Sequence, residues 1–240
     1  MLDCVSVEMM RQSDAYTIEN FVPSLKLMYR AAWGVYRAVA WHGKTAIVVG
    51  SGNNGGDGFA LACILQEYGY DCTVFTLSSN LSPDSAYYAR QAAEAKVAVR
   101  AFTPDCLQGY DIVVDCLLGT GFRGAVREPY RTAIVAINSS GAYVVSVDIN
   151  SGMNGDTGEA ALAVQSDLTV TIGFVKTGLI TEQAGCRIRR LVCVDIGIVL
   201  LREEAKICTQ AELDALCPSC EGKYHLCPPW IDSNMIQVDV

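Results

Sequence analysis

A chain of 240 residues, 51% of them hydrophobic, has the length and composition of one globular α/β domain with a substantial core, which excludes an intrinsically disordered protein. The 18 basic and 26 acidic residues leave a net charge of −8 with no basic stripe to offset it, so neither nucleic acid nor a membrane surface is an expected partner. The opening MLDCVSVEMMRQSD lacks the regions of a secretory signal and no apolar run approaches ~18 residues, so a cytoplasmic location is expected, with the 11 cysteines reduced.

Val5 to Asn20 sets Val7, Met10, Ala15 and Ile18 among charged residues, which predicts an amphipathic helix capped by Ser6. Pro23 and Ser24 interrupt it, and a second helix is expected from Lys26 to Trp41. Ala46 to Val49 reads as a short buried strand. Gly50, Gly52, Gly55, Gly56 and Gly58 then crowd a turn, before a helix from Phe59 to Tyr68. The pattern continues with a strand at Cys72 to Leu77, a helix at Pro83 to Ala95 and a strand at Val97 to Phe102. Next come a strand at Asp111 to Val114 and a helix at Pro129 to Asn138, followed by strands at Tyr143 to Val147, Leu168 to Ile172 and Leu191 to Val194. Such alternation predicts a three-layer α/β/α sandwich with a Rossmann-like, mostly parallel sheet.

The strand, glycine turn and helix around Gly50 form a candidate ligand cradle. Glycines admit close backbone approach, and a helix N-terminus offers free N–H groups. Gly50, Gly52 and Gly55 satisfy G-x-G-x-x-G, yet the strand that follows ends in Ser78 and Ser79 where a dinucleotide fold would place its ribose-binding acid. A triphosphate loop is excluded as well, because Gly56-Asp57-Gly58 stands where Gly-Lys-Ser/Thr is required. Asn53, Asn54 and Asp57 therefore either hold something other than phosphate or bond their own turn. Asp115 and Asp148 each end an apolar strand and open a glycine-bearing loop, which places them at the same crevice unless they serve as helix caps.

Five separated segments between Val5 and Ile198 resemble the NAD(P)H-hydrate epimerase family. They are VSVEMMRQSDAYTIENFVPSLKLMYRAA, GSGNNGGDGF, IVVDCLLGTGFRGA with Arg127-Glu128-Pro129, YVVSVDINSGMNGDTG, and TVTIGFVKTGL. Two departures stand out: Tyr29 where the family commonly has an acid after Leu-Met, and Asn150 where it has proline. The resemblance implies an enzyme that interconverts the R and S epimers of hydrated NADH and NADPH. By position, Asn53, Asn54, Gly55, Gly56 and Asp57, together with Gly119, Thr120, Gly121, Phe122, Arg123, Gly124 and Ala125, would line the site for this small-molecule substrate. Asp148 would touch the substrate and carry the proton transfer. Lys176 is an alternative acid, a charge that tunes Asp148, or a solvated loop residue. Asn54, Asp115 and Ser151 would hold a potassium ion, for which hard oxygen donors are suited, or else form a network linking three loops.

Two other readings compete with the enzyme: a non-catalytic nucleotide-binding or scaffold module of the same fold, and an NAD-dependent oxidoreductase, which the missing ribose acid disfavours. The resemblance implies a possible homodimer. It does not choose between the NADH and NADPH hydrates, since no arginine for a 2′-phosphate follows the second strand of the pattern. The epimerase domain is expected to span 1–202, with 203–240 as a tail too short for a further dehydratase domain. In that tail, Thr209 and Glu212 suggest a capped helix, while Cys217, Cys220, His225 and Cys227 are potential zinc ligands with a spacing tight for tetrahedral closure.

Overall fold

The computed structural model describes residues 2–201, 206–208 and 224–226. The chain opens with β1 (Leu2–Val5), α1 (Val7–Asn20), α2 (Ser24–Ala38), β2 (Lys44–Val49), α3 (Asn53–Glu67) and β3 (Asp71–Thr76). It continues through α4 (Pro83–Glu94), β4 (Ala98–Ala101), β5 (Ile112–Cys116), α5 (Tyr130–Asn138), β6 (Tyr143–Val147) and β7 (Leu168–Ile172). The remaining elements are β8 (Val175–Lys176), the short α6 (Glu182–Gly185), β9 (Leu191–Val194), β10 (Lys206–Cys208) and β11 (Tyr224–Leu226).

Among the described residues, eight strands form the main sheet in the order β11-β9-β7-β6-β5-β2-β3-β4, and every pairing in it is parallel. Strand β2 is the pivot. From it the chain runs outward to β3 and β4, then returns to β5 on the other side and continues to β6 and β7. This reversal between β2 and β5 opens a crevice at the carboxyl ends of the strands, where ligands of open α/β sheets bind. Both faces of the sheet are covered, so side chains two apart share a core. Ile47 and Val49 pack with residues of α2, α3 and α4, whereas Ala46 and Val48 pack with Ala133, Ile134 and Ile137 of α5.

Caps explain several helix starts. The Ser6 hydroxyl accepts from the Met9 N–H at 3.1 Å, and Ser82 caps α4 ahead of Pro83. Helix α2 ends earlier than its apolar pattern suggests, because Val39 is extended and the Trp41 indole N–H turns back to donate to the Tyr36 carbonyl at 2.7 Å.

Two expectations are corrected. Val5 belongs to a strand, since β1 pairs parallel with β8 and antiparallel with β10 in a second, three-stranded sheet. The glycine turn is also shorter than it reads, because α3 already begins at Asn53 and takes Gly55, Gly56 and Gly58 into its first turns. These glycines are there for packing. A Cβ on Gly56 would lie 2.6 Å from Met28 Sδ, and one on Gly58 would lie 2.8 Å from Val49 Cγ1 and 2.9 Å from Cys116 Cβ. Helix α3 can therefore lie directly against β2 and β5. Among the described residues no helix is long and apolar enough to cross a membrane. In the C-terminal segment, Thr209, Glu212, Cys217, Cys220 and Cys227 lie outside the described residues, while His225 falls on β11.

Candidate active site

A cleft of about 690 Å³ opens at the β2/β5 reversal, walled by α1, α2, the start of α3, and the loop after β5. Asn53, Asn54, Asp57, Gly119, Thr120, Gly121, Phe122, Arg123, Asp148 and Lys176 all line it. Gly55 and Gly56 instead face inward to protein, Gly124 and Ala125 line an adjoining groove, and Asp115 and Ser151 are buried and do not line the cleft.

Asp148 follows β6 with φ of 69°, in the left-handed region that non-glycine residues seldom enter. The Ile149 N–H donates to the Val147 carbonyl at 2.9 Å, so Asp148 is the centre of a three-residue turn, a conformation that costs on the order of 1–3 kcal/mol. That strain is offset by what the turn achieves: it sets the carboxylate against Lys176. The lysine side chain is 0% exposed, and its ammonium donates to Asp148 Oδ1, to Thr171 Oγ1 at 3.1 Å and to the Ile172 carbonyl at 2.7 Å. All three N–H bonds are thereby used. Asp148 Oδ2 is turned toward the cleft loop, where a Cβ on Gly119 would lie only 3.2 Å from it and 3.3 Å from Asn54 Cβ.

Beneath this pair lies a network centred on Asp115. One carboxylate oxygen accepts from the Ser151 hydroxyl at 2.5 Å and the Leu117 N–H at 3.2 Å, the other from the Ser151 N–H at 2.9 Å and the Ser146 hydroxyl at 3.0 Å. Burial pushes the Asp115 carboxyl upward, and these donors pull it back. Ser151 Oγ also accepts from the Leu118 N–H at 2.9 Å, which ties the loops after β5 and β6 together. Asn54 is different: it is 9% exposed, and neither its Oδ1 nor its Nδ2 has a partner among the described residues. A buried amide left unpaired costs roughly 1–3 kcal/mol, so its partner must come from the cleft that it lines, as water or as a ligand. Of the three residues expected to hold potassium, Asn54 lines the cleft, while Asp115 and Ser151 are buried and bonded to each other. Among the described residues no group of three or more His, Cys, Asp or Glu side chains could hold a metal.

Two further carboxylates face the same space. Burial holds Asp57 well above the usual carboxylate range, with Asp148 and then Asp14 adding to the effect and Lys176 opposing it. Asp14, on α1, is likewise raised by burial and then by Asp148. A folded state that holds a proton more tightly than the unfolded chain loses stability as pH rises through the folded pKa. Asp57→Asn is therefore expected to raise Tm at neutral and higher pH and to leave it unchanged below pH 3.8, where both states are protonated. Melting curves across a pH series check this.

Both departures from the family pattern have a structural account. Tyr29 is 41% exposed, lies edge-on to Trp33 and does not line the cleft, so the side chain at this position faces away from the pocket. Asn150 is fully buried and works as a brace: its Nδ2 donates to the Val164 carbonyl at 2.9 Å and Ser166 Oγ at 3.0 Å, and its Oδ1 accepts from Thr169 Oγ1 at 2.5 Å. Hydrogen bonds here replace the stiffness of a proline. Asn150→Ala would leave Ser166 and Thr169 short of partners, and a loss of ~2 kcal/mol is expected. In a thermal melt that is a Tm lower by roughly 4–8 °C.

Residues that the sequence reading missed are Asp14, Arg11, Asp84 and Tyr130 on the cleft wall. Asp14 sits on the polar side of an amphipathic helix, a pattern that cannot separate solvent from a cleft. Tyr130 shows no signal beyond its place at the start of α5, although its hydroxyl lies 3.2 Å from Ser51 Oγ.

The model of the family described as YjeF-related protein N-terminus matches residues 24–178. The chain belongs to this family. Among curated relatives, the NAD(P)H-hydrate epimerase of Limosilactobacillus fermentum is 36% identical over 199 residues, covering 80% of this chain and 95% of that one. The bifunctional NAD(P)H-hydrate repair enzyme Nnr of Archaeoglobus fulgidus is 40% identical over 175 residues, 72% of this chain, and the match spans 37% of its length. A crystal structure of the yeast protein ynu0 superposes with a TM-score of 0.66 at 22% identity, over 74% of this chain and 83% of that one, which shows the shared fold.

Proposed function

We propose that this chain epimerises the R and S forms of hydrated NADH and NADPH, the activity named for its epimerase relatives. The observation that carries the reading is the Asp148 carboxylate, held by a fully buried lysine in a strained turn and facing a cleft large enough for a nicotinamide ring. In the hydrate, the ring nitrogen lone pair can expel the hydroxyl to give a planar iminium that water attacks from either face. This path needs a group that protonates the leaving hydroxyl and then takes a proton from the entering water. Asp148 is that group, through the oxygen turned toward the Gly119 loop. Lys176 orients it, and is not the acid because its three N–H bonds are occupied. Asp57, whose carboxyl burial holds well above the usual carboxylate range, lines the same cleft, and in this path it passes to Asp148 the proton that the leaving hydroxyl takes and receives one back from the entering water.

Potassium fits the donor chemistry, since the unpaired Asn54 oxygen, Asp115 and Ser151 would offer it hard oxygens, and when bound it would supply a positive charge at the head of α3. The epimerase unit is taken as 1–202, acting in the cytoplasm. Incubation of the purified protein with the R hydrate of NADH, with chromatographic separation of the epimers, tests the function. Equilibration above the spontaneous rate is expected. No acceleration by folded protein would favour a nucleotide-binding scaffold instead.

A further inference from the structure

The cleft suits a ring better than it suits phosphates. Four carboxylates, Asp14, Asp57, Asp84 and Asp148, line it against Arg11, Arg123 and Lys176, and the lysine charge is already paired with Asp148. A hydrated dinucleotide carries a diphosphate and, in the NADPH form, a 2′-phosphate as well, so most of its negative charge needs another place.

An adjoining groove of about 530 Å³, within the ~300–1,000 Å³ range of small-molecule sites, has the opposite character. It shares Phe122 and Arg123 with the cleft, so the two adjoin at the loop after β5. Among the described residues, Arg123, Arg131 and Arg187 stand on its walls against one acid, Glu159, and Val126 and Leu162 supply an apolar surface for a base. Arg187 is fixed, with one guanidinium nitrogen donating to the Gln183 carbonyl and the other to the Ala160 carbonyl, both at 2.8 Å. Arg131, in the first turn of α5, is exposed, and its guanidinium pairs with no acid or carbonyl among the described residues. A planar cation with free donors suits a phosphate dianion through paired hydrogen bonds.

We infer that this groove takes the adenylate half of the substrate and that Arg131 binds the 2′-phosphate, making it a specificity-determining residue for NADPH hydrate over NADH hydrate. The inference rests on the epimerase reading and names the part of the site that reads the far end of the molecule. It also accounts for how a 2′-phosphate can be recognised by a chain with no arginine after β3.

The test compares wild type, Arg131→Glu and Arg131→Lys with three substrates: the hydrates of NADPH, of NADH and of reduced nicotinamide mononucleotide, which lacks the adenylate. For Arg131→Glu, KM for NADPH hydrate should rise roughly tenfold or more, KM for NADH hydrate less, and KM for the mononucleotide hydrate not at all, with kcat unchanged throughout. Arg131→Lys should recover most of the loss. An unchanged KM for NADPH hydrate, or a loss spread equally over the three substrates, overturns the inference. Calorimetry with 2′-phospho-ADP-ribose separates this from the parent reading: binding by wild type that weakens roughly tenfold in Arg131→Glu supports the groove even where no hydrate is epimerised. Binding that is absent, or equal in both proteins, overturns it whether or not epimerisation occurs.

Discussion

Asp148→Asn is expected to lower epimer exchange by roughly 10²–10⁴-fold while the protein stays folded and still binds the hydrate, because an amide occupies the place of the carboxylate but cannot pass the proton. The backbone makes this the informative substitution. Asparagine is among the few residues that enter the left-handed region readily, so the turn at φ 69° is retained, and its amide oxygen still accepts from Lys176. Tm should fall somewhat, since a neutral oxygen compensates the buried ammonium less well than a carboxylate. Asp148→Ala would confuse the result by adding backbone strain and an unpaired lysine. Full turnover in Asp148→Asn, measured by chromatography of the epimers, would remove Asp148 from the mechanism.

Lys176→Met should produce the largest loss of stability of any substitution at the cleft. Removing one partner of a buried ion pair costs about 3–5 kcal/mol, because the other charge is left uncompensated. In a chain of this length that corresponds to a Tm lower by roughly 6–20 °C. Thr171 Oγ1 and the Ile172 carbonyl lose a donor at the same time. Where the variant remains folded at low temperature, kcat should fall with little change in KM, as expected of a residue that positions Asp148 without touching substrate. A fall in KM-dependent binding with kcat intact would instead place Lys176 in direct contact with the hydrate. An unchanged Tm would mean that the pair is not the brace of the turn.

Much of this was legible because buried parallel strands leave a plain record. The apolar runs at β2, β5, β6 and β7 mark both covered faces, and a single aspartate ending β5 or opening the loop after β6 is conspicuous against them. What escaped depends on contacts distant in sequence. The start of α3 was hidden because glycine is read as a turn former, whereas Gly56 and Gly58 serve here to let a helix approach Met28, Val49 and Cys116. Lys176 could be a solvated loop charge by its neighbours alone, and only the fold of β7 and β8 around it shows complete burial. The polar stripe of α1 reads as a solvated face, yet Asp14 looks into the cleft. Strand β1 is too short to signal itself, and it forms because β8 and β10 offer edges.

In the mechanism proposed for this cleft, the hydroxyl of a hydrated nicotinamide leaves and water returns on either face. This mechanism is tested most directly by running the reaction from the R hydrate of NADH in water enriched with oxygen-18 and following the isotope in both epimers by mass spectrometry. The protein is expected to accelerate label entry and epimer exchange together. Acceleration of neither, or epimers that equilibrate while keeping their original oxygen, would contradict the mechanism.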